Sequence, residues 1–456
     1  MAYQTLNPTT GEVLATFQPA TDAEAHAALN EAADCARSWK NTPLHQRTEL
    51  IRRVADLIDE RRDELADLIA LEMGKPVRQA SGELGLSADI YRYYADNGER
   101  FTADEALDVA SGGSAVIRTE PIGVLLGIMP WNYPHYQVAR FAGPNLVLGN
   151  TVVIKHAANC PQSALAIEAL FRDAGLPPGA YTNLFATHAQ VATLIADPRV
   201  RGISLTGSEA AGAIVAEQAG RHLKKVVLEL GGSDPFIVLD DARLERTIDQ
   251  AVGGRFSNAG QACTSPKRFI VVDEVYDRFV AGFSERVGTI QPGDPRQAHT
   301  RFGPMSSAAA RDEVLEQVQD AVSRGATLHH GGVAGEGAVL APTLLTDLTP
   351  DMRAYSEELF GPVAMIHRVA DADAAVAFAN DSPYGLGAAV FCADPVLAQS
   401  VAERLEVGMV TIGGNSDSEP DLPFGGVKRS GFGRELGPHG MSEFANKKLI
   451  RVAVGA

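Results

Sequence analysis

Cys263 ends the run Asn258-Ala259-Gly260-Gln261-Ala262, a polar, glycine-containing stretch between a helical pattern and a strand pattern. A thiol in such a loop is within reach of substrate, and nearby backbone amides favour its thiolate, the form that attacks. Glu229 stands at the end of the apolar run Val226-Val227-Leu228 and is followed by Leu230-Gly231-Gly232. Burial there raises a carboxylate toward the range of a general base, although a strand-end carboxylate also serves simply to cap the next element. Asn132 lies in Pro130-Trp131-Asn132-Tyr133-Pro134, where two prolines stiffen the turn. Its amide suits stabilisation of an oxyanion, and equally an Asx turn. Thr206-Gly207-Ser208-Glu209-Ala210-Ala211-Gly212 follows a strand pattern and opens a helix, so free amides can face a phosphate there. Its glycines are not spaced as GxGxxG and no Gly-Lys-Ser/Thr occurs, so neither nucleotide-binding fingerprint applies. His329 and His330 form no ligand spacing with nearby Cys or Asp, and no metal is expected.

These groups need rigid elements to hold them. Thr21 and Glu24 form a capping-box pattern before an alanine-rich stretch, and Leu50, Val54, Leu57, Ile58, Leu65, Leu68 and Ile69 recur at helical spacing. The first hundred residues therefore read mostly as helix. From residue 115 the texture changes to short β-branched runs at 115–118, 124–128, 151–154, 202–205, 226–229 and 236–239, with helical stretches at 163–174 and 209–219 between them. Strands alternating with helices imply βαβ units and a mainly parallel sheet. The alternation resumes at 269–272, 308–323 and 388–391, more strands than one sheet is expected to absorb, so two α/β lobes are expected. The segment 115–128 reads as a hairpin around Glu120-Pro121, and the run 448–454 is a candidate partner for it.

With 456 residues the chain has room for several domains and a large core. Apolar residues at 45% and charged residues at 21% describe an ordinary globular protein. The net charge of −17 argues against a broad electrostatic grip on nucleic acid or anionic membranes, so a phosphate-bearing ligand must meet a local site. No signal peptide and no apolar run long enough to span a membrane is visible. Cys35, Cys160, Cys263 and Cys392 lie far apart, as thiols do in a reducing compartment, and the expected location is the cytoplasm.

Taken together, the motifs resemble the aldehyde dehydrogenase superfamily from about residue 4 to 452. PWNYP at 130–134, VIK at 153–155, LTGS at 205–208, LELGG at 228–232, NAGQAC at 258–263, EELFGP at 357–362 and PFGGVKRSGFGRE at 423–435 occur in family order, and the interval from Glu229 to Cys263 matches the family's base-to-nucleophile interval. Lys155-His156-Ala157 and the run from Leu422 to Lys428 resemble the bacterial succinate-semialdehyde dehydrogenase branch.

The resemblance implies two doubly wound parallel-sheet α/β domains and a small β oligomerisation flap. Residues 1–114 and 129–228 would bind NAD(P), 229–428 would form the catalytic domain, and 115–128 with 429–456 would form the flap of a homodimer or homotetramer. It further implies Cys263 as nucleophile, Asn132 and the Cys263 amide as oxyanion donors and Glu229 as base for thioester hydrolysis. Trp131 and Lys155 would lie along the adenosine side of the cofactor, with Gly207 and Ser208 at the pyrophosphate. Glu358 would hold the nicotinamide ribose and Phe360 the nicotinamide end.

Two positions depart from family habits. NAD-preferring members often carry glutamate where this chain has Ala158, so NADP is expected, with NAD also usable. Eukaryotic-type succinate-semialdehyde enzymes carry arginine where this chain has Ser257. Arg140, eight residues after Asn132, stands where the resembling enzymes use an arginine for the distal carboxylate of succinate semialdehyde, and Ser418 matches a position from which the family adds a hydroxyl, so the resemblance implies both as substrate contacts. The implied reaction is oxidation of an aldehyde, succinate semialdehyde foremost, to its acid. The alternatives are a broader aliphatic aldehyde dehydrogenase, a CoA-acylating relative, which usually lacks the hydrolytic glutamate, and a non-catalytic binding protein on the same fold.

Overall fold

The computed structural model describes residues 2–240 and 242–455. Met1, Asp241 and Ala456, which fall inside the expected domain ranges, lie outside the described residues. Four helices, Asp22–Trp39, Leu44–Glu60, Arg62–Met73 and Val77–Thr102, fill most of the first hundred residues. The Thr21–Glu24 capping box starts the first of them, and Trp39 at its end donates to Leu146 O at 3.1 Å.

Two sheets follow. The first has six strands in the order Gly431–Phe432, Lys225–Glu229, Val200–Thr206, Val124–Met129, Thr151–His156 and Tyr181–Asn183. All of its pairings are parallel except that of Gly431–Phe432. The second has seven strands in the order Thr327–His330, Thr343–Thr346, Val363–Val369, Arg268–Val272, Pro235–Val238, Gly387–Phe391 and Met409–Ile412. Helices cover both faces of a parallel sheet, so its inner strands are buried on both sides and read as unbroken apolar runs. Thr151–His156 and Arg268–Val272 are buried at every residue. Separate apolar clusters pack the two faces of the first sheet and the body of the second.

The expected hairpin across 115–128 is corrected. Ser114–Pro121 pairs antiparallel with Ala445–Val452, Arg118 opposite Lys448, and with Glu105–Leu107. Val124–Met129 instead runs parallel between Thr151–His156 and Val200–Thr206, in the middle of the six-stranded sheet. The side chain of Asn150 enforces the break, its Oδ1 accepting from Ile122 N at 2.7 Å and Gly123 N at 3.0 Å. Gly431–Phe432 joins the same sheet, and the helix Gly437–Glu443 packs against Pro134–Leu148. The projecting β element is therefore three strands, Glu105–Leu107, Ser114–Pro121 and Ala445–Val452, rather than the whole of 115–128 and 429–456. Among the described residues no helix is long and apolar enough to cross a membrane.

Candidate active site

In an open parallel sheet, ligands meet the loops at the carboxyl ends of the strands. Val124–Met129 leads into Trp131 and Asn132, Thr151–His156 carries Lys155 and leads to Ala158, Val200–Thr206 leads into Gly207 and Ser208, and Lys225–Glu229 ends on Glu229. Asn132, Glu229 and Cys263 line one cavity of about 420 Å³, together with Trp131, Gly207, Ser208, Glu358 and Phe360. A second cavity of about 210 Å³ is lined by Cys263, Tyr133, Tyr136, Ser418 and Phe424. Cys263 and Gln137 line both, so the sulfur stands where the two spaces meet.

Glu229 is 2% exposed, and neither carboxylate oxygen has a hydrogen-bond partner among the described residues. Burial drives its pKa up to about 8, with Glu435 adding to the rise and Arg140 and Arg434 opposing it. Such a carboxyl loses its proton near neutral pH and can then accept one from a reactant. Gly425 makes room for it, because a Cβ there would lie 2.7 Å from Glu229 Oε1. Burial also pushes the Cys263 thiol up to about 11, while Arg140 and Lys267 pull it down. In this environment most of the thiol is protonated at neutral pH.

The Cys263 loop is held from below by Lys267, a buried residue that sequence reading missed. Its Nζ donates to Ala262 O at 3.0 Å and Cys263 O at 2.7 Å and pairs with Glu358 Oε1 at 3.1 Å. Glu358 also accepts from Gly232 N at 3.1 Å, and it passes so close over Gly231 that a Cβ there would collide with the carboxylate. Phe360 meets Trp131 edge to face with ring centroids 5.9 Å apart. Ser208 caps the helix Glu209–Arg221, its hydroxyl accepting from Ala211 N at 3.4 Å.

Lys155 and Ala158 line a separate cavity of about 260 Å³ with Tyr3, Thr187 and His188. Lys155 is 9% exposed and forms no ion pair among the described residues, and burial lowers its pKa. A desolvated, unpaired cation facing a cavity is a standing attraction for an anion.

Arg140 is where the structure departs from expectation. Its side chain is fully buried and lines neither cavity beside Cys263. Nε pairs with Glu435 Oε2 at 2.5 Å, one terminal nitrogen donates to Tyr136 Oη at 3.3 Å and the other to Thr206 Oγ1 at 3.1 Å. Burial opposes its charge, but Glu435, Tyr136 and Glu229 outweigh that cost and keep its pKa above the usual value. Arg140 reaches the smaller cavity only through its hydrogen-bonded neighbours. Arg140 donates to Tyr136 Oη, and the Tyr136 hydroxyl donates to Ser418 Oγ at 2.8 Å, at the wall of the smaller cavity. Glu435, in the expected motif but without an assigned role, is the partner that fixes Arg140.

Asn132, Glu229 and Cys263 thus share one cavity beside the strand ends of the six-stranded sheet. The aldehyde dehydrogenase family profile matches residues 1–450, and the chain belongs to that family. Among its relatives is the NADP(+) succinate-semialdehyde dehydrogenase of Deinococcus radiodurans, 56% identical over 98% of this chain and 94% of the relative. Succinate-semialdehyde dehydrogenase [NADP(+)] 1 of Mycobacterium ulcerans is 44% identical over 99% of this chain and all of its own. The crystal structure of succinic semialdehyde dehydrogenase from Streptococcus pyogenes, in complex with NADP+, superposes with a TM-score of 0.97 at 43% identity, covering 99% of this chain and 100% of that one.

Proposed function

We propose that this chain oxidises succinate semialdehyde to succinate with NADP as hydride acceptor, through a thioester on Cys263. The observation that carries this reading is the meeting of Cys263, Asn132 and the unpaired carboxylate of Glu229 on one cavity wall. The Cys263 thiol loses its proton to solvent water, and the thiolate bonds to the aldehyde carbon as the carbonyl π electrons move onto its oxygen. The resulting oxyanion accepts hydrogen bonds from the Asn132 side-chain amide and the Cys263 backbone N–H. NADP held in the larger cavity would supply a hydride acceptor, and the C–H bond of the thiohemiacetal would give up its hydride to it as the oxyanion re-forms the carbonyl of a thioester. Glu229 then takes a proton from water as the water oxygen bonds to the acyl carbon, the C–S bond breaks, and acid and thiolate separate. Most of the cofactor contacts come from the six-stranded lobe, while Glu358, Phe360 and the nucleophile come from the seven-stranded one.

The donor set fits NADP. The buried, unpaired Lys155 suits a 2′-phosphate, Ser208 and the amides beside Gly207 suit the pyrophosphate, Glu358 suits a ribose diol and Trp131 with Phe360 the nicotinamide end. Ala158 neither accepts from a ribose 2′-hydroxyl nor repels a phosphate, whereas a glutamate there does both. Initial rates of aldehydes with and without a terminal carboxylate, each with NADP and with NAD, test the assignment. Succinate semialdehyde with NADP is expected to give the highest kcat/KM, and Ala158→Glu to shift preference toward NAD. Strict use of NAD by the unmodified enzyme would refute the cofactor assignment.

The Arg140–Tyr136–Ser418 relay leaves the Ser418 hydroxyl hydrogen free to meet the distal carboxylate. A hydrogen bond to a charged group contributes about 1.5–3 kcal/mol, so Ser418→Ala should lower kcat/KM for succinate semialdehyde roughly 10- to 150-fold. An uncharged aldehyde of equal length should lose less than about threefold. Arg140→Ala should in addition cost about 3–5 kcal/mol of stability, because it leaves the buried Glu435 without its counter-charge. Equal losses for charged and uncharged aldehydes in Ser418→Ala would remove the hydroxyl from substrate recognition.

Two strand edges support a homo-oligomer, dimer or tetramer. Ala445–Val452 and Met409–Ile412 are the outermost strands of their sheets, with Leu449, Val452 and Ile412 exposed, and such open edges invite pairing with a second copy. A monomeric mass in analytical ultracentrifugation would contradict this. The four free cysteines suit a reducing compartment, and cell fractionation should place the protein in the cytoplasm.

A further inference from the structure

The start of the helix Val77–Thr102 does more than support the N-terminal bundle. Lys75, just before it, has no exposed side-chain surface. Its Nζ pairs with the equally buried Glu83, donates to Asn132 O at 2.7 Å and sits 3.5 Å from the centre of the Tyr133 ring. Glu83 Oε1 accepts from His135 N at 2.9 Å and Tyr136 N at 3.2 Å, in the first turn of Pro134–Leu148, where helix amides have no partner of their own. Both charges of the pair thus converge on residues 132–136, the loop that carries the oxyanion amide.

Gln79 lies one turn before Glu83 on the same helix face. Its Oε1 accepts from Asn258 N at 2.8 Å, and its Nε2 donates to Arg301 O at 2.9 Å. Asn258 opens the segment leading to Cys263, and Asn258, Ala259 and Gly260 have φ of 50, 52 and 71°, a left-handed run that non-glycine residues adopt only when held. The Asn258 side-chain amide donates to Asn132 O at 3.0 Å and Gln261 O at 3.2 Å, and the Asn132 amide donates to Gln261 O at 3.1 Å. One N–H of Asn132 is fixed on the nucleophile loop, and that bond aims the other.

We infer that Lys75, Gln79 and Glu83 are positioning residues for the acylation step, clamping the Asn132 loop and the Cys263 loop at the separation the oxyanion needs. The inference rests on the oxyanion role proposed above for Asn132. Glu83 is among the residues lining the smaller cavity, but its carboxylate has no exposed surface and both of its oxygens are engaged, one by Lys75 and one by the two helix amides, so it acts through the loop it holds. A buried ion pair is a weak source of stability compared with apolar side chains of the same volume, so stability alone does not account for it. Positioning does, because displacements of an ångström at donors and nucleophile cost large factors in rate.

Single-turnover formation of NADPH tests the clamp. Glu83→Gln is expected to slow acylation roughly 10- to 100-fold while the Kd for NADP changes less than about twofold. In an Asn132→Ala background the same substitution is expected to cost less than about twofold more, since the donor it aims is gone. Losses that multiply fully in the two backgrounds, or a wild-type acylation rate in Glu83→Gln, would overturn the clamp. If Glu83→Gln does not fold, Gln79→Ala removes only neutral hydrogen bonds and is expected to slow acylation about 3- to 10-fold, again only with Asn132 present. Full multiplication with Asn132→Ala would overturn the inference there too. A wild-type rate for Asn132→Ala alone would instead refute the oxyanion assignment, and the clamp with it.

Discussion

Cys263→Ala is expected to abolish aldehyde oxidation, with kcat/KM falling roughly 10⁴-fold or more, as when an enzyme loses its nucleophile. No other thiol can substitute. Cys35 and Cys160 are buried in the N-terminal core, and Cys392 lines a different cavity with Arg243 and Arg246. The variant should fold and bind NADP within about twofold of the wild type, because the cofactor contacts come from other strands and the smaller alanine adds no clash. Cofactor titration by fluorescence alongside steady-state assays checks both halves. Turnover near the wild-type rate would remove Cys263 from the chemistry.

Glu229→Gln is expected to separate the two half-reactions. Acylation should proceed, giving a burst of one NADPH per subunit, while steady-state turnover falls roughly 10²- to 10⁴-fold for want of the base. The pH profile carries the same signature. A protonated carboxyl cannot take a proton, so where hydrolysis limits turnover the wild-type rate should climb about tenfold per pH unit below the Glu229 pKa of about 8 and level off above it. The burst rate depends on the Cys263 thiolate, whose parent thiol titrates at about 11, and should keep rising past pH 8. Glu229→Gln should flatten the steady-state limb and leave the rise of the burst. A variant that loses NADP binding instead would assign Glu229 to the cofactor.

The parts of the site legible in the sequence are those that local pattern dictates. Asn132 and Glu229 sit at strand ends of the six-stranded sheet, which gathers such ends on one side, and Cys263 sits in a polar loop ahead of a strand of the other sheet and meets them at one cavity. Arg140 was legible as a charge at a telling position but not as a partner of Glu435, because nothing local links residues so far apart in sequence. Lys75 and Glu83 carry no local signal of their pairing, which arises only when packing buries them together. The misplaced hairpin had its own signal. Val124-Leu125-Leu126-Gly127-Ile128-Met129 lacks the polar alternation of a half-exposed ribbon and is the run of a strand covered on both faces. Short strands such as Tyr181–Asn183 carry too few residues for any period to appear.

The thioester itself is open to direct observation. Glu229→Gln enzyme mixed with NADP and succinate semialdehyde, quenched in acid after the burst and digested, should carry one succinyl group on the Cys263 peptide, in step with one NADPH per subunit, and release it on treatment with hydroxylamine. An unmodified Cys263 peptide alongside a full burst of NADPH would contradict oxidation through a cysteine thioester.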